Sequence, residues 1–194
     1  MNPQLLLQKL PDVRAWIEGT LTSHRAMERP VTSDVFPRLT AYYSPRLLAS
    51  SRVVEVPRVP IPPLEALGLP DFAEFENGDY EGITYLNTYF VQASVAASES
   101  LHFHELVHVV QWQHLGADRF LVAYALGYLL AGGYRANPLE VMAYDLQARF
   151  DQNAAPFDAE TLTRRNLDAI EPVLLDRAFN AGKIEEGSQI ATPS

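Results

Sequence analysis

The chain contains no cysteine among its 194 residues, which excludes disulfide bonds and any thiolate metal site. Basic residues are also scarce: 15 Lys and Arg against 24 Asp and Glu give a formal net charge of −9. Because phosphate binding needs a basic surface, this balance predicts no nucleic-acid partner. Any metal in this protein must be held by histidine, aspartate or glutamate.

Long hydrophobic runs are missing as well. The longest apolar stretch, Phe120 to Gly133, is about six residues too short for a membrane span, and it predicts a core helix instead. Residues 1–9 have no basic region and only a short apolar run, so we expect no signal peptide. These absences predict no membrane span and a cytoplasmic location, and they leave the oligomeric state open.

Proline content and periodicity divide the chain. Residues 30–76 hold eight of the 14 prolines and predict loops, with a short strand at Arg52 to Val56. Apolar residues at helical spacing predict a helix from about Pro11 to Arg25. Residues 159–181 predict one or two C-terminal helices that Pro172 interrupts. With no repeat or low-complexity tract, we expect a single domain, residues 1–194.

The core of this domain is expected at about residues 80–150. Gly82 to Gln92 is rich in β-branched and aromatic residues and predicts one strand. Cap residues and apolar spacing predict three helices, from Ser98 to Leu115, from about Asp118 to Ala131 and from Pro138 to about Phe150. The expected class is α+β, mostly helical, with a small sheet packed on the first of these three helices.

His104-Glu105-Leu106-Val107-His108 is an H-E-x-x-H sequence inside that helix. Residues four apart on a helix lie about 40° apart, so both imidazoles project from one face and suit two ligands of a tetrahedral zinc. Glu105 stands beside the first ligand, where it can take a proton from water at the metal. The motif predicts Zn²⁺ at His104 and His108 with Glu105 as catalytic base. The alternative is a buried helix whose histidines are satisfied by backbone or carboxylate partners.

A zinc site needs a third protein ligand, and two residues compete for that role. In Asn137-Pro138-Leu139-Glu140-Val141-Met142-Ala143 the chain resembles the gluzincin class of zinc metallopeptidases. In that class a glutamate from a later helix, often followed three residues on by alanine, completes the site. The resemblance implies Glu140 as the third metal ligand. The alternative is that Glu140 only caps its own helix, in a capping box with Asn137.

His114 is the competing ligand, because the sequence from His104 onward also resembles the metzincin spacing. It departs from that pattern at Gln111, where metzincins have the glycine that lets the helix break. A positive φ costs a non-glycine residue, so Gln111 disfavours the break. If the helix continues, His114 faces away from His108. We therefore favour Glu140 and keep His114 as the alternative.

The gluzincin resemblance covers about residues 80–150 and extends to small bacterial peptidase-like proteins. It implies a zincin-like fold and a zinc metallopeptidase that hydrolyses a peptide or protein substrate through a zinc-activated water. The strand at Gly82 to Gln92 would offer its edge to an extended peptide, and the proline-rich segment could cover the cleft. The alternative is a catalytically inactive zincin-like binding protein with a structural zinc.

One position departs from the gluzincin pattern. Many members carry an aspartate four residues after the ligand glutamate, where it hydrogen-bonds a ligand histidine. This chain has Tyr144 there and Asp145 one residue later. The partners that orient the histidines are therefore left open by the sequence.

Overall fold

The computed structural model describes residues 3–32, 34–152 and 155–186, and its architecture is α+β, which confirms the predicted class. Its α-helices are Pro3–His24 (α1), Pro45–Ser50 (α2), Ala73–Glu76 (α3), Glu99–Leu115 (α4), Ala117–Ala131 (α5), Pro138–Asp151 (α6) and Ala159–Glu186 (α7). Its strands are Arg29–Pro30 (β1), Arg52–Val56 (β2), Gly82–Tyr85 (β3) and Thr88–Gln92 (β4).

The strands form one mixed sheet in the order β1-β2-β4-β3. β2 runs parallel to β4, whereas β1 and β3 pair antiparallel with their neighbours. The predicted strand at Arg52–Val56 is confirmed as β2. The single predicted strand from Gly82 to Gln92 is wrong, because the chain reverses at Leu86 and Asn87 to form a hairpin. No glycine marks this turn, and Leu86 itself takes the positive φ of 60°.

Helix α4 lies at the centre of the molecule, and every residue from Leu101 to Trp112 is buried. It packs against β3 and β4 on one side and against α5, α6 and α7 on its others. The Ser98 side chain caps its first turn by accepting a hydrogen bond from Leu101 N at 3.3 Å. Gly116, with a φ of 75°, ends it. The predicted boundaries of the motif helix are thus confirmed.

Two helices are longer than the sequence predicts. α1 begins at Pro3 rather than near Pro11, and α7 continues unbroken through Pro172. Proline removes one backbone hydrogen bond and usually kinks or ends a helix. Pro11 and Pro172 both lie on exposed faces, so water can solvate the carbonyls that they leave unpaired. Buried neighbours such as Leu10 and Leu174 hold both helices to the core.

One cluster of buried apolar side chains extends from Leu6 in α1 to Leu174 in α7, with α4 at its centre. The proline-rich segment contributes to this cluster through residues such as Leu69 and Phe72. Across the three described ranges, no helix combines the length and the apolar character that crossing a membrane requires.

Candidate metal centre

The two motif histidines meet on the face of α4 that looks toward α6. His104 Nε2 and His108 Nε2 lie 3.1 Å apart, and the two rings are 4.8 Å apart between centroids. Both side chains are buried, at 3% and 5% exposure. This proximity follows from the four-residue spacing on an unbroken helix.

Glu140 reaches the same point from the first turn of α6. Its Oε2 lies 3.4 Å from His104 Nε2, and its Oε1 lies 3.3 Å from His108 Nε2. The capping-box alternative is not formed: Asn137 alone caps α6, accepting from Leu139 N at 3.2 Å, and the Asn137 N–H donates to a backbone carbonyl. His104, His108 and Glu140 therefore form one buried group of three ligand atoms.

Two glutamines fix the orientation of the imidazoles. His104 Nδ1 lies 3.0 Å from Gln147 Oε1, and His108 Nδ1 lies 2.8 Å from Gln111 Oε1. An amide oxygen accepts hydrogen bonds, so each Nδ1 carries a proton, and each Nε2 is the ring atom left to bind a metal beside Glu140. Hydrogen bonds of this kind set the tautomer of metal-ligating histidines.

The donor set fits a zinc ion. Ligand atoms about 2.0–2.2 Å from a tetrahedral zinc lie roughly 3.3 Å from one another. Here the two Nε2 atoms are 3.1 Å apart, and each lies 3.3–3.4 Å from one of the two oxygens of Glu140. Glu140 Oε2 has no hydrogen-bond partner among the described residues, although it is buried. A buried carboxylate oxygen without a donor is costly, and a cation between the three residues removes that cost.

The Glu140 carboxylate and the neighbouring imidazoles shift each other's pKa values. Burial raises the pKa of Glu140, but His108 and His104 lower it by more, so the pKa lies well below its ordinary value. Burial lowers the pKa of His108, yet the Glu140 carboxylate outweighs this and raises the pKa to about 9. Without a metal, a proton on the His108 imidazole compensates the carboxylate. A divalent cation compensates it in the same place.

Glu105, the predicted catalytic base, lies on the side of α4 that faces β3. Its Oε2 accepts a hydrogen bond from Thr84 Oγ1 at 2.7 Å. A Cβ on Gly82 would stand 2.3 Å from Glu105 Oε1. The carboxylate therefore fits in this position only because residue 82 has no side chain. Burial raises the pKa of Glu105 above its ordinary value, which brings a carboxylate closer to the range of a useful base at neutral pH.

Aromatic hydroxyls surround the cluster. Tyr124 OH donates to Glu140 Oε1 at 2.7 Å and holds the carboxylate in place. Tyr134 OH and Tyr144 OH lie 3.4 Å apart, and the Arg135 guanidinium lies over the Tyr144 ring. Burial raises the pKa values of Tyr134 and Tyr144, so both remain protonated hydrogen-bond donors.

His114, the competing third ligand, is not brought to this cluster. Helix α4 continues past Gln111 without a break, so His114 points elsewhere and its Nε2 lies 2.7 Å from Asp168 Oδ1. Gln111 instead makes two hydrogen bonds: its Oε1 accepts from His108 Nδ1, and its Nε2 donates to the Leu139 carbonyl at 2.9 Å. The metzincin arrangement is therefore absent from this geometry.

His102 has different surroundings on the same helix. It is 1% exposed, and its ring nitrogens lie 2.8 Å from Tyr89 OH and 2.8 Å from the Ala96 carbonyl. Both nitrogens are satisfied, and burial lowers the pKa of this imidazole. His24 lies apart from the site, beside the Phe90 ring.

Four residues of this site were missed by sequence reasoning: Thr84, Gly82, Tyr124 and Gln147. Gln147 had a signal, since it follows Glu140 by seven residues and so shares its helix face. It orients His104, whereas Asp145, the nearest match to the gluzincin aspartate, is exposed. The other three come from separate elements, and no local spacing connects them to the motif.

The chain matches no family model, no curated protein and no solved structure. The functional argument therefore depends on the geometry of these residues.

Proposed function

We propose that this protein is a zinc metallopeptidase of the gluzincin type, with a zincin-like fold. The observation that carries the proposal is that His104 Nε2, His108 Nε2 and the Glu140 carboxylate, whose Oε2 has no hydrogen-bond partner, lie together in the interior. Glu105 is next to His104 on the same helix. A motif helix beside an edge strand, with the third ligand on a later helix, supports the same assignment.

His104, His108 and Glu140 would hold Zn²⁺, which would supply Lewis-acid chemistry for the substrate carbonyl and the attacking water. Glu105 takes the proton of the attacking water and passes it to the leaving amine. Thr84 Oγ1 holds the Glu105 carboxylate, and the absence of a Gly82 side chain leaves it room. Tyr124 keeps Glu140 aimed at the histidines.

Tyr134 supplies a hydrogen-bond donor for the negative charge that develops on the carbonyl oxygen. Its ring borders the same pocket as Glu105, His108 and Glu140. Its raised pKa keeps the proton on the hydroxyl at neutral pH. Tyr144 OH, 3.4 Å away, steadies the orientation of this hydroxyl.

A structural zinc is the second candidate, and one observation favours it: the three ligands are only 2–5% exposed. In this alternative the metal joins α4 to α6 and no substrate reaches it. Chelation would then lower the melting temperature strongly, and no peptide would be hydrolysed.

The test compares the wild-type chain with Glu105→Gln, each loaded with zinc. We expect about one zinc per chain in both, and a loss of peptide hydrolysis of roughly 10²–10⁴-fold in the variant. Metal content is measured by atomic absorption, and hydrolysis is measured on a broad peptide library. Equal turnover by the two proteins would remove Glu105 from the proposed role. Stable zinc without any hydrolysis by the wild type would favour the structural alternative.

A further inference from the structure

A pocket leads from the ligand cluster into the apolar interior. Its cavity volume is about 110 Å³. Glu105, His108 and Glu140 line it, and no other charged residue lines it in the described part of the chain. The rest of the lining is mostly apolar and holds no further charge, so the pocket favours an apolar group.

Helix α1 forms one long wall of the pocket. Its four buried apolar residues, Leu6, Leu10, Val13 and Ile17, all line the pocket. Between Leu6 and Ile17 a helix rises by about 16 Å. The apolar wall is therefore longer than any amino-acid side chain.

The remaining walls are mostly apolar, with polar contributions from Thr84 and five tyrosines, Tyr80, Tyr85, Tyr124, Tyr128 and Tyr134. The proline-rich segment contributes Leu69 and Phe72, α4 contributes Trp112, and α5 contributes Phe120 and Ala125. The proline-rich segment, which was expected to cover the cleft, thus forms part of the pocket wall. Large fixed side chains on several sides shape a cavity that exists before any ligand enters.

The edge of β3 offers little to the main chain of a long peptide. Thr84 carries its carbonyl toward α4, and Trp112 Nε1 donates to this carbonyl at 3.0 Å. An incoming strand needs such carbonyls as hydrogen-bond acceptors. Recognition by burial of an apolar group therefore fits this site better than recognition by strand addition.

We propose that the substrate carries an extended hydrocarbon chain, longer than any amino-acid side chain, which lies along α1 while its amide reaches Glu105. This inference rests on the proposed hydrolysis. Water adds its oxygen to the carbonyl carbon, the C–N bond breaks, and Glu105 passes the proton to the leaving amine. The chain can be an acyl group on the carbonyl side or an alkyl group on the amine side. Both sources share the chemistry that the pocket recognises.

Binding is tested with straight-chain primary amides, from butanamide to decanamide, on the full chain with and without zinc. Each buried methylene should tighten the dissociation constant by about fourfold. The readouts are titration calorimetry and the fluorescence of Trp112, which lines the pocket. An affinity that stops rising at hexanamide means that the pocket takes only a group the size of a side chain, and this overturns the proposal.

Filling the pocket gives a second test. Ala125→Leu on α5 and Val13→Phe on α1 reduce the space from two different walls. We expect each to weaken decanamide binding at least tenfold and to leave butanamide binding unchanged. Ala131→Leu makes the same chemical change on an exposed position at the end of α5 and should change neither. Circular dichroism checks folding, and decanamide binding at wild-type strength by both folded filling variants overturns the proposal.

Turnover separates this inference from the proposed function. N-decanoyl and N-acetyl amino acids test the acyl side, and N-decyl and N-ethyl acetamide test the amine side. We expect kcat/KM to rise with chain length on one side. Binding that depends on chain length, without hydrolysis of any amide, keeps the pocket assignment and rejects the hydrolase. Hydrolysis of short peptides without any effect of chain length keeps the hydrolase and rejects this substrate class.

Discussion

Helix α4 carries buried histidines on two faces, and their ring nitrogens have different hydrogen-bond partners on the two faces. On the face toward the sheet, both ring nitrogens of His102 meet a partner, Tyr89 OH and the Ala96 carbonyl. On the face toward α6, His104 and His108 each use Nδ1 for a glutamine and leave Nε2 facing Glu140. Burial is nearly the same on both faces.

The difference lies in the partners of the ring nitrogens rather than in burial or residue type. A hydrogen-bonded imidazole such as His102 stabilises the core and needs nothing more. Two Nε2 atoms and a carboxylate that converge in the interior need a compensating positive charge, which a proton on His108 or a bound cation can supply. The face toward α6 is therefore the one that could hold a metal, and the face toward the sheet is structural.

Among the variants that test this difference between the two faces, Glu140→Gln is expected to change zinc affinity most, because it keeps the shape of the side chain and removes its charge. Zinc affinity should fall by more than the roughly 10–100-fold that loss of an outer partner costs. His114→Ala is the matched control and should bind zinc like wild type, because His114 pairs with Asp168. Competition with a chromophoric chelator measures both affinities, with circular dichroism for folding. The opposite pattern would restore the metzincin arrangement.

Gly82→Ala tests the base rather than the ligands. The new Cβ would stand 2.3 Å from Glu105 Oε1 and must displace the carboxylate. A shift of this size is expected to lower kcat by about 100-fold, while zinc content stays at the wild-type level. Gly19→Ala is the matched control, because a Cβ there meets nothing within 4 Å. Full activity in Gly82→Ala would show that the Glu105 carboxylate can move away from the new Cβ without losing its role.

Gln147→Leu and Gln111→Leu remove the partners that hold the two Nδ1 protons. Each is expected to weaken zinc binding by roughly 10–100-fold through loss of orientation. Gln111→Leu should also cost some stability, since Gln111 donates to the Leu139 carbonyl. Zinc titration together with urea unfolding separates the two effects. Unchanged zinc affinity in both variants would mean that packing alone orients the imidazoles.

His102→Leu is expected to have the smallest effect on the metal and a clear effect on stability. It leaves Tyr89 OH and the Ala96 carbonyl without their hydrogen-bond partner. The free energy of unfolding should fall by about 1–3 kcal/mol for each buried group left unpaired. Zinc affinity should equal that of the wild type. Urea unfolding measures the cost, and adding Tyr89→Phe should recover part of it. A loss of zinc in His102→Leu without unfolding would erase the distinction between the two faces.

Local sequence was enough for the elements that depend on short-range spacing. The boundaries of α4 follow from Ser98 and Gly116, and the convergence of His104 and His108 follows from helical periodicity. The hairpin at Leu86 was not predictable in the same way, because its turn lacks the glycine that signals a reversal. The course of α7 through Pro172 depends on packing that the sequence pattern does not display.

By itself the sequence determined a helix with two imidazoles on one face, a carboxylate beside them and a later helix capped at Asn137. Those features depend on residues a few positions apart, so local rules fix them. Only the tertiary structure decided that Glu140 meets the histidines while His114 does not, that Thr84 holds Glu105, and that α1 borders the pocket. These contacts join residues far apart in sequence, and they form because burial of apolar surface packs α1, β3, α5 and α6 around α4.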